Sequence, residues 1–224
     1  MIFARGARSA ILRRSVPARR DDDKRMPEAL ALIELTSIGR GARLLDDVSK
    51  KAPVAIHTAT PVSSGKYLLI FVGEVGPVEE SFREALAVGS TAVANKLLLP
   101  QVHPDVVRSM EQRLEAGAVD VDALAIVETT SMATAVGAAD AAAKAAEVRL
   151  VELRLGFGIG GRGYFTLTGS HADVEAAVAA ARAVGERDAT LVDVEIIPRP
   201  HADVVDNWTG AGWAAQSLPR ARRS

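Results

Sequence analysis

The sequence predicts an α+β protein built from two copies of one small domain, each with the strand and helix order β-α-β-β-α-β. Two observations predict this: an internal repeat that spans most of the chain, and the same alternation of strand-like and helix-like periodicity in both copies. The length of 224 residues, with 48% hydrophobic and 25% charged residues, suits two small globular domains as well as one large one. The repeat decides in favour of two.

The internal repeat is clearest between residues 29–54 and residues 123–148, where ten of the 26 paired positions are identical. The identical positions include an acid and a lysine four residues apart in each copy: Asp46 with Lys50, and Asp140 with Lys144. Farther along, Gly73 pairs with Gly169, and the offset between the copies has risen from 94 to 96 residues. We therefore expect a two-residue insertion in the second copy, in the loop at 156–163.

Within each copy, the hydrophobic pattern changes between strand and helix in one order. Runs rich in β-branched and leucine residues predict strands, and apolar residues at helical spacing predict a first helix. Thr36-Ser37 and Thr130-Ser131, just before these helices, are residues of N-cap type. A second helix is expected to start near Val78 or Val174. The strands are expected at 29–35, 54–58, 66–72 and 96–99, and at 123–128, 148–153, 164–168 and 190–197. Each copy should form an antiparallel sheet with two helices packed on one face.

The composition excludes several classes of function. The chain has no cysteine, which excludes disulfides, cysteine-bound zinc, iron–sulfur clusters and a thiol nucleophile. The formal net charge of -1 gives no overall attraction to nucleic acid or to an anionic membrane, and no apolar run reaches the roughly 18 residues of a membrane span. Four scattered histidines lack metal-ligand spacing: His57, His103, His171 and His201. We expect no metal and no cofactor.

Motifs that suggest catalysis or nucleotide binding are better explained otherwise. Residues 156–161 satisfy G-x-G-x-x-G, but a strand pattern follows instead of the helix that a dinucleotide site requires. Glu34 and Glu128 occupy the same place in the two copies, which favours a structural role over a pair of catalytic acids. Because no acid–base or nucleophile constellation is present, we do not expect an enzyme.

The chain divides into five segments. A basic extension at 1–26 is expected to be disordered, and it is either an artefact of a start codon placed upstream of Met26 or an arm that docks cargo or neighbouring proteins. The first domain is expected at 27–112, a linker at 113–120, the second domain at 121–206 and a tail at 207–224. These bounds follow the repeat and the change in composition at each end.

The ordered set of repeated residues resembles the bacterial microcompartment shell domain. Most of the residues that carry the resemblance occur in both copies: Ala29 to Glu34 and Ala123 to Glu128, the two acid–lysine pairs, and Gly73 and Gly169. The segment Ile197-Pro-Arg-Pro-His201 adds to the resemblance in the second copy. The resemblance covers roughly 27–206 and implies two domains of a ferredoxin-like variant fold. Two copies in one chain resemble the tandem class, in which three chains form a homotrimer with the outline of a hexamer.

The same resemblance implies a structural role. It implies a tile in the shell of a cytoplasmic bacterial microcompartment, with hexameric and pentameric shell proteins as neighbours at the tile edges and enclosed enzymes as further partners. Neither nucleic acid nor a membrane is implied. The alternative function is a soluble trimeric ligand-binding or regulatory protein with duplicated ferredoxin-like domains, and an enzyme ranks third.

The resemblance also implies a central pore, lined by the turn between the second and third strands. The pore-lining residues it assigns are Val62, Ser63, Ser64, Gly65, Gly158, Ile159, Gly160 and Gly161. Small residues suit this place, because several backbones approach one another at a symmetry axis. Lys66 and Arg162 follow the turns, and they either make the pore mouth electropositive or point outward into solvent.

Three tile-edge residues are carried over from the family. Lys50 and Lys144 match the family's edge lysine, and Arg199 matches an edge arginine that reaches a neighbour's backbone. The first copy has Gln101 at the arginine position, so alternate edges of the tile should differ in strength. The alternative is that these side chains are simply exposed charges.

Overall fold

The computed structural model describes residues 26–111 and 121–209. Three expectations therefore lie outside the described residues: the basic extension up to residue 25, the linker at 113–120, and the tail beyond residue 209. What the structure describes is two domains and one short helix after each of them.

The first domain has the expected order of elements. They are β1 (Ala29–Leu35), α1 (Ile38–Lys51), β2 (Ala55–Val62), β3 (Lys66–Gly73), α2 (Val75–Gly89) and β4 (Val93–Leu99), followed by α3 (Pro104–Glu111). The sheet order is β2-β3-β1-β4, and all neighbours are antiparallel. Of the two candidate caps, Thr36 and Ser37, it is Ser37 that caps α1, because its side chain accepts a hydrogen bond from the backbone N–H of Arg40.

The second domain repeats this arrangement. Its elements are β5 (Ala123–Thr129), α4 (Met132–Ala145), β6 (Arg149–Leu155), β7 (Gly163–Gly169), α5 (His171–Arg187) and β8 (Leu191–Pro198), followed by α6 (Ala202–Thr209). The sheet order is β6-β7-β5-β8, again antiparallel throughout. The predicted fold class, α+β with two β-α-β-β-α-β domains, is confirmed.

The differences from the expected elements lie at their ends. Helices α2 and α5 begin three residues before the expected Val78 and Val174. In α5 the reason is a cap at Ser170, whose hydroxyl accepts a hydrogen bond from the backbone N–H of Asp173.

Two short helices, α3 and α6, follow the last strands of the two domains and were not expected. In each, a histidine Nδ1, from His103 or His201, accepts the N–H of the aspartate two residues on.

The first domain has its own core between the sheet and helices α1 and α2. Alternate residues of β1 and β3 face this core, including Ile33, Leu69 and Phe71, and Leu44 of α1 packs on them. The fit is close at Gly41, where an added Cβ would lie 2.2 Å from the Tyr67 ring. Glycine is therefore required at this point of α1.

A second core crosses the boundary between the domains. It joins the other face of the first sheet, represented by Leu30 and Ile70, to Val106 of α3 and to Met132 and Val136 of α4. Strand β1 is buried along its whole length because both faces of the first sheet are covered. The two domains therefore pack against each other as one body.

Candidate functional site: the domain junction and the adjoining turns

A carboxylate from the first domain caps a helix of the second. Glu34 lies near the end of β1 and is 1% exposed. Its Oε1 accepts a hydrogen bond from the backbone N–H of Ala133 at 2.8 Å and another from the Ser131 hydroxyl at 2.9 Å. Its Oε2 lies 3.2 Å from the Lys66 ammonium. A negative charge at a helix N-terminus is stabilising, so Glu34 joins the domains electrostatically.

Strand β4 completes the same junction with one polar and one apolar side chain. Asn95 donates through Nδ2 to the Ser131 hydroxyl. Leu97 packs on α4 beside Gly137, where an added Cβ would lie 3.4 Å from Leu97 Cδ1 and 3.8 Å from Val184. The small residue on α4 leaves the space that the leucine fills.

The junction ends at an aspartate that both domains use. Asp140 on α4 is 5% exposed and accepts from the backbone N–H of His103 at 2.8 Å. Lys144 lies 2.6 Å from the other carboxylate oxygen and also donates to the backbone carbonyl of Gln101. The segment at 101–103, which follows β4, is thereby hydrogen-bonded to the side of α4.

The two turns assigned to a pore lie against each other. The Ser64 hydroxyl donates to the backbone carbonyl of Gly160 at 3.0 Å, and the N–H of Gly158 donates to the Ser63 hydroxyl at 3.2 Å. Gly161 has φ +77°, and an added Cβ there would lie 3.0 Å from the Ser63 carbonyl oxygen. Both the positive φ and the close backbone approach favour glycine.

A family model for the BMC domain matches residues 29–102 and residues 123–200. The chain belongs to the bacterial microcompartment (BMC) domain family. It is 35% identical to the bacterial microcompartment shell protein PduT of Citrobacter freundii over 179 residues. The aligned part covers 79% of this chain and 95% of PduT. The expected family and the tandem arrangement are confirmed.

Two further relatives agree with this assignment. A crystal structure of a microcompartment protein from Desulfitobacterium hafniense is 38% identical and superposes with a TM-score of 0.72, covering 80% of this chain and 98% of that one. The shell protein EutM of Salmonella typhimurium is 40% identical over 86 residues, which is 38% of this chain and 85% of EutM. EutM therefore matches the length of one BMC domain.

The turns of the two BMC domains differ by the expected insertion. In the first domain Val62 pairs with Lys66 across the turn, and in the second the N–H of Gly156 donates to the Arg162 carbonyl at 2.8 Å. The turns between these pairs span 63–65 and 157–161, a difference of two residues. The sequence therefore located the insertion correctly.

The residues assigned to the pore are not equally accessible within one chain. The turns expose Ser64, Gly65, Gly158 and Gly160, and leave Ser63 and Ile159 half-buried. Val62 is 7% exposed and packs against Gly156, and Gly161 is buried against Ser63. Lys66 is bound to Glu34, whereas Arg162 is exposed. An electropositive mouth would therefore depend on Arg162.

The three residues assigned to tile edges have different surroundings. Lys50 is 72% exposed and pairs with Asp46 at 2.6 Å. Lys144 is 44% exposed and is held by Asp140 and the Gln101 carbonyl, as described above. Arg199 is exposed at a backbone φ of +47°, and its N–H donates to the carbonyl of Asp122 at 2.7 Å.

A tyrosine on the outer face of the second sheet has a perturbed acidity. Tyr164 donates to Glu152 at 3.0 Å, and its ring meets that of Trp208 edge-on, with centroids 6.1 Å apart. Burial, together with the charge of Glu152 and this hydrogen bond, raises the pKa of Tyr164 to about 12, against a weaker lowering by Arg154.

The described residues contain neither a cluster of metal-binding side chains nor a membrane-spanning helix. Within 26–111 and 121–209, no group of three or more His, Asp or Glu residues is placed to hold a metal ion. In the same part of the chain, no helix is both long and apolar enough to cross a membrane.

Proposed function

We propose that this protein is a structural, non-enzymatic tile of a bacterial microcompartment shell, formed by three chains in a ring with a hexagonal outline. The shell-protein relatives support the role, and the junction inside one chain supports the ring. The outer sheet face and the edge strand β4 of the first BMC domain pack against helix α4 of the second. The two domains therefore contact each other through unlike surfaces. A head-to-tail contact of this kind generates a closed ring when its rotation closes.

We further propose that the turns at Ser64 and Gly160 surround a central pore in this ring. This proposal is supported by the direct hydrogen bond between Ser64 and Gly160, through which the turn of the first domain contacts the turn of the second. Three copies of this pair around a threefold axis would line a passage with backbone amides and serine hydroxyls. Small polar metabolites are the solutes that such groups accommodate.

Tile edges are the third part of the proposal. Lys50, Lys144 and Arg199 would contact neighbouring hexameric and pentameric shell proteins. Their exposure supports this assignment. The difference between Gln101 and Arg199 at equivalent places would give alternate edges unequal strength.

Two measurements test this function. Native mass spectrometry of the purified full-length chain should give the mass of three chains. Co-expression with hexameric and pentameric shell proteins should incorporate it into sheets or closed shells seen by electron microscopy. Arg199→Asp should abolish sheets while leaving trimers, because it reverses an exposed charge at an edge and leaves the junction between the domains unchanged. A chain that forms no assembly and binds a metabolite tightly would contradict the proposal.

A further inference from the structure

Equivalent helices of the two domains differ sharply in burial. In the described chain, ten residues of α4 are buried, whereas α1 has three: Gly41, Leu44 and Val48. Ile38 of α1 is 46% exposed, although its repeat counterpart, Met132, is fully buried at the junction. What covers α4 is the sheet face and edge strand of the first domain. The corresponding surface of α1 is left uncovered by the described residues, 26–111 and 121–209.

On the other side of the second domain, the described part of the chain leaves the equivalent sheet edge uncovered too, and this edge is acidic. Strand β8 pairs with β5 as β4 pairs with β1, so Asp193 stands in the place of Asn95 and Glu195 in the place of Leu97. The placement of Asp193 agrees in detail: its Oδ1 accepts the N–H of the next residue at 2.9 Å, as Asn95 does at 2.8 Å. Both acidic side chains are exposed.

The open surface of α1 is basic where α4 is neutral. A shallow concavity there is lined by Gly39, Arg40, Arg43 and Val88. By the repeat, Arg43 stands in the place of Gly137 and Val88 in the place of Val184. Leu97 and Val184 both lie within 4 Å of a Cβ added at Gly137. Arg43 is 75% exposed, with Asp47 of its own helix 3.5 Å away.

We propose that Glu195 of one chain enters this concavity in a second copy of the chain and forms an ion pair with its Arg43. This contact would replace, between chains, the apolar contact of Leu97 with α4 inside each chain. Charge complementarity and the matching positions of the two junctions support it. The inference rests on the proposed trimer and specifies which surfaces close it.

A second contact follows from the same equivalence. Glu128 stands in the place of Glu34, and Ser37 with Gly39 stands in the place of Ser131 with Ala133. In the proposed junction, Glu128 of one chain accepts hydrogen bonds from Ser37 and the backbone N–H of Gly39 in the second copy. It caps α1 there as Glu34 caps α4 within the chain.

The consequence is a division of roles between two chemically different junctions. The surfaces of the two junctions cannot be exchanged. Leu97 placed on the α1 surface would leave Arg43 without a partner, and Glu195 placed beside Gly137 would bury an unpaired charge. A second-domain edge therefore selects a first-domain helix of another chain, which is the head-to-tail order that a ring of chains requires. Because the selecting contact is an ion pair between exposed side chains, it should weaken as salt increases. The internal junction should weaken much less, since its carboxylates, Glu34 and Asp140, are buried.

The test is a charge exchange in the full-length protein. Glu195→Arg and Arg43→Glu should each raise the dissociation constant of the trimer at least about tenfold, since like charges then face each other. The double variant, with both charges exchanged, should return it to within a few-fold of wild type. Glu175→Arg and Arg182→Glu, on exposed positions of α5, are the matched controls. Sedimentation velocity over a range of concentrations gives the constants, and melting curves confirm that each variant folds.

Each outcome decides between the two proposals. Loss of trimer in both single variants with recovery in the double variant supports the ion pair. If wild type forms a trimer and neither single substitution weakens it, the proposed ion pair is wrong, but the proposed ring still stands. A wild-type chain that remains monomeric at every concentration overturns the proposed trimer itself, and the junction with it.

Discussion

The carboxylate of Glu34 in the first domain and the backbone N–H of Ala133 in the second are joined by a hydrogen bond of 2.8 Å. The contact caps a helix with a side chain from another domain, 99 residues away in sequence. A buried carboxylate requires partners, and Glu34 finds them in Ser131, Ala133 and Lys66. Folding of the first domain and docking of the second are therefore coupled at this point.

Removing the Glu34 carboxylate should destabilise the protein strongly. Glu34→Ala leaves the N–H of Ala133 and the Ser131 hydroxyl buried without their acceptor, and it separates Lys66 from its counter-charge. We expect a loss of about 3 kcal/mol in the free energy of unfolding, measured by urea denaturation. Glu128→Ala is the matched control, since Glu128 is less buried. At concentrations where the protein is monomeric, the control should lose less than about 1 kcal/mol. Equal effects of the two changes would contradict the account.

The contact between α1 and β3 tolerates no side chain at Gly41. A Cβ there would lie 2.2 Å from Tyr67 Cγ, so Gly41→Ala should cost about 1–3 kcal/mol despite the better helix propensity of alanine. At Gly76 in α2 an added Cβ meets nothing within 4 Å, so Gly76→Ala should be neutral or slightly stabilising. Thermal melts of the two variants provide the comparison. A Gly41→Ala variant that melts with wild type would show that the helix and strand are not packed this closely.

Both tyrosines of the chain should ionise late. Burial raises the pKa of Tyr67, and burial together with Glu152 raises the pKa of Tyr164 to about 12. Because the folded state favours the neutral phenol, this contribution to stability is present below pH 10. It is lost as the pH rises from 10 towards 12. Phenolate absorbance of the folded protein should therefore stay low at pH 10. Tyr164→Phe should remove the step near pH 12, and an ordinary titration of both groups near pH 10 would contradict the assignment.

The two repeated aspartates should differ in their contribution to stability. Asp140 is 5% exposed and holds both the His103 N–H and Lys144, whereas the Asp46 side chain is 58% exposed and pairs with Lys50. Asp140→Ala should lower the free energy of unfolding by about 2 kcal/mol, because it leaves a backbone donor without its acceptor. Asp46→Ala should cost less than about 1 kcal/mol in the monomer. Similar costs in urea denaturation would show that Asp140 does not fasten the domains.

The repeat made most of the fold predictable. Identical residues at one offset fixed two domains of equal topology, and the change of offset placed the insertion between Leu155 and Gly163. The caps were predictable to within the pairs Thr36-Ser37 and Thr130-Ser131, because a hydroxyl side chain before an apolar helical pattern acts locally. In the structure the serine of each pair is the cap. The N-terminal ends of α2 and α5 were not, since the apolar pattern starts one turn after the true start.

The junction between the domains was not predictable from local pattern. Glu34 and Glu128 look alike in the sequence, and their symmetry indicated a structural role without indicating that Glu34 reaches another domain. Likewise, the sequence places Lys66 next to the turn, as a pore-mouth charge or as one pointing into solvent, and gives no sign that it pairs with Glu34. A signal was present: Leu97 and Glu195 occupy equivalent places and differ in polarity, as Gly137 and Arg43 do. Such paired differences mark two interfaces with different partners.

Cysteine cross-linking tests the proposed ring most directly, because the natural chain contains no cysteine. Chains carrying both Glu195→Cys and Arg43→Cys, oxidised and separated under non-reducing conditions, should yield covalent trimers that a reductant returns to monomers. Chains with either cysteine alone should stay monomeric, and a mixture of the two single variants should give covalent dimers. Chains with both cysteines that remain monomeric under oxidation, while native mass spectrometry shows a trimer, would contradict the claim that the second domain meets the first domain of the next chain through these surfaces.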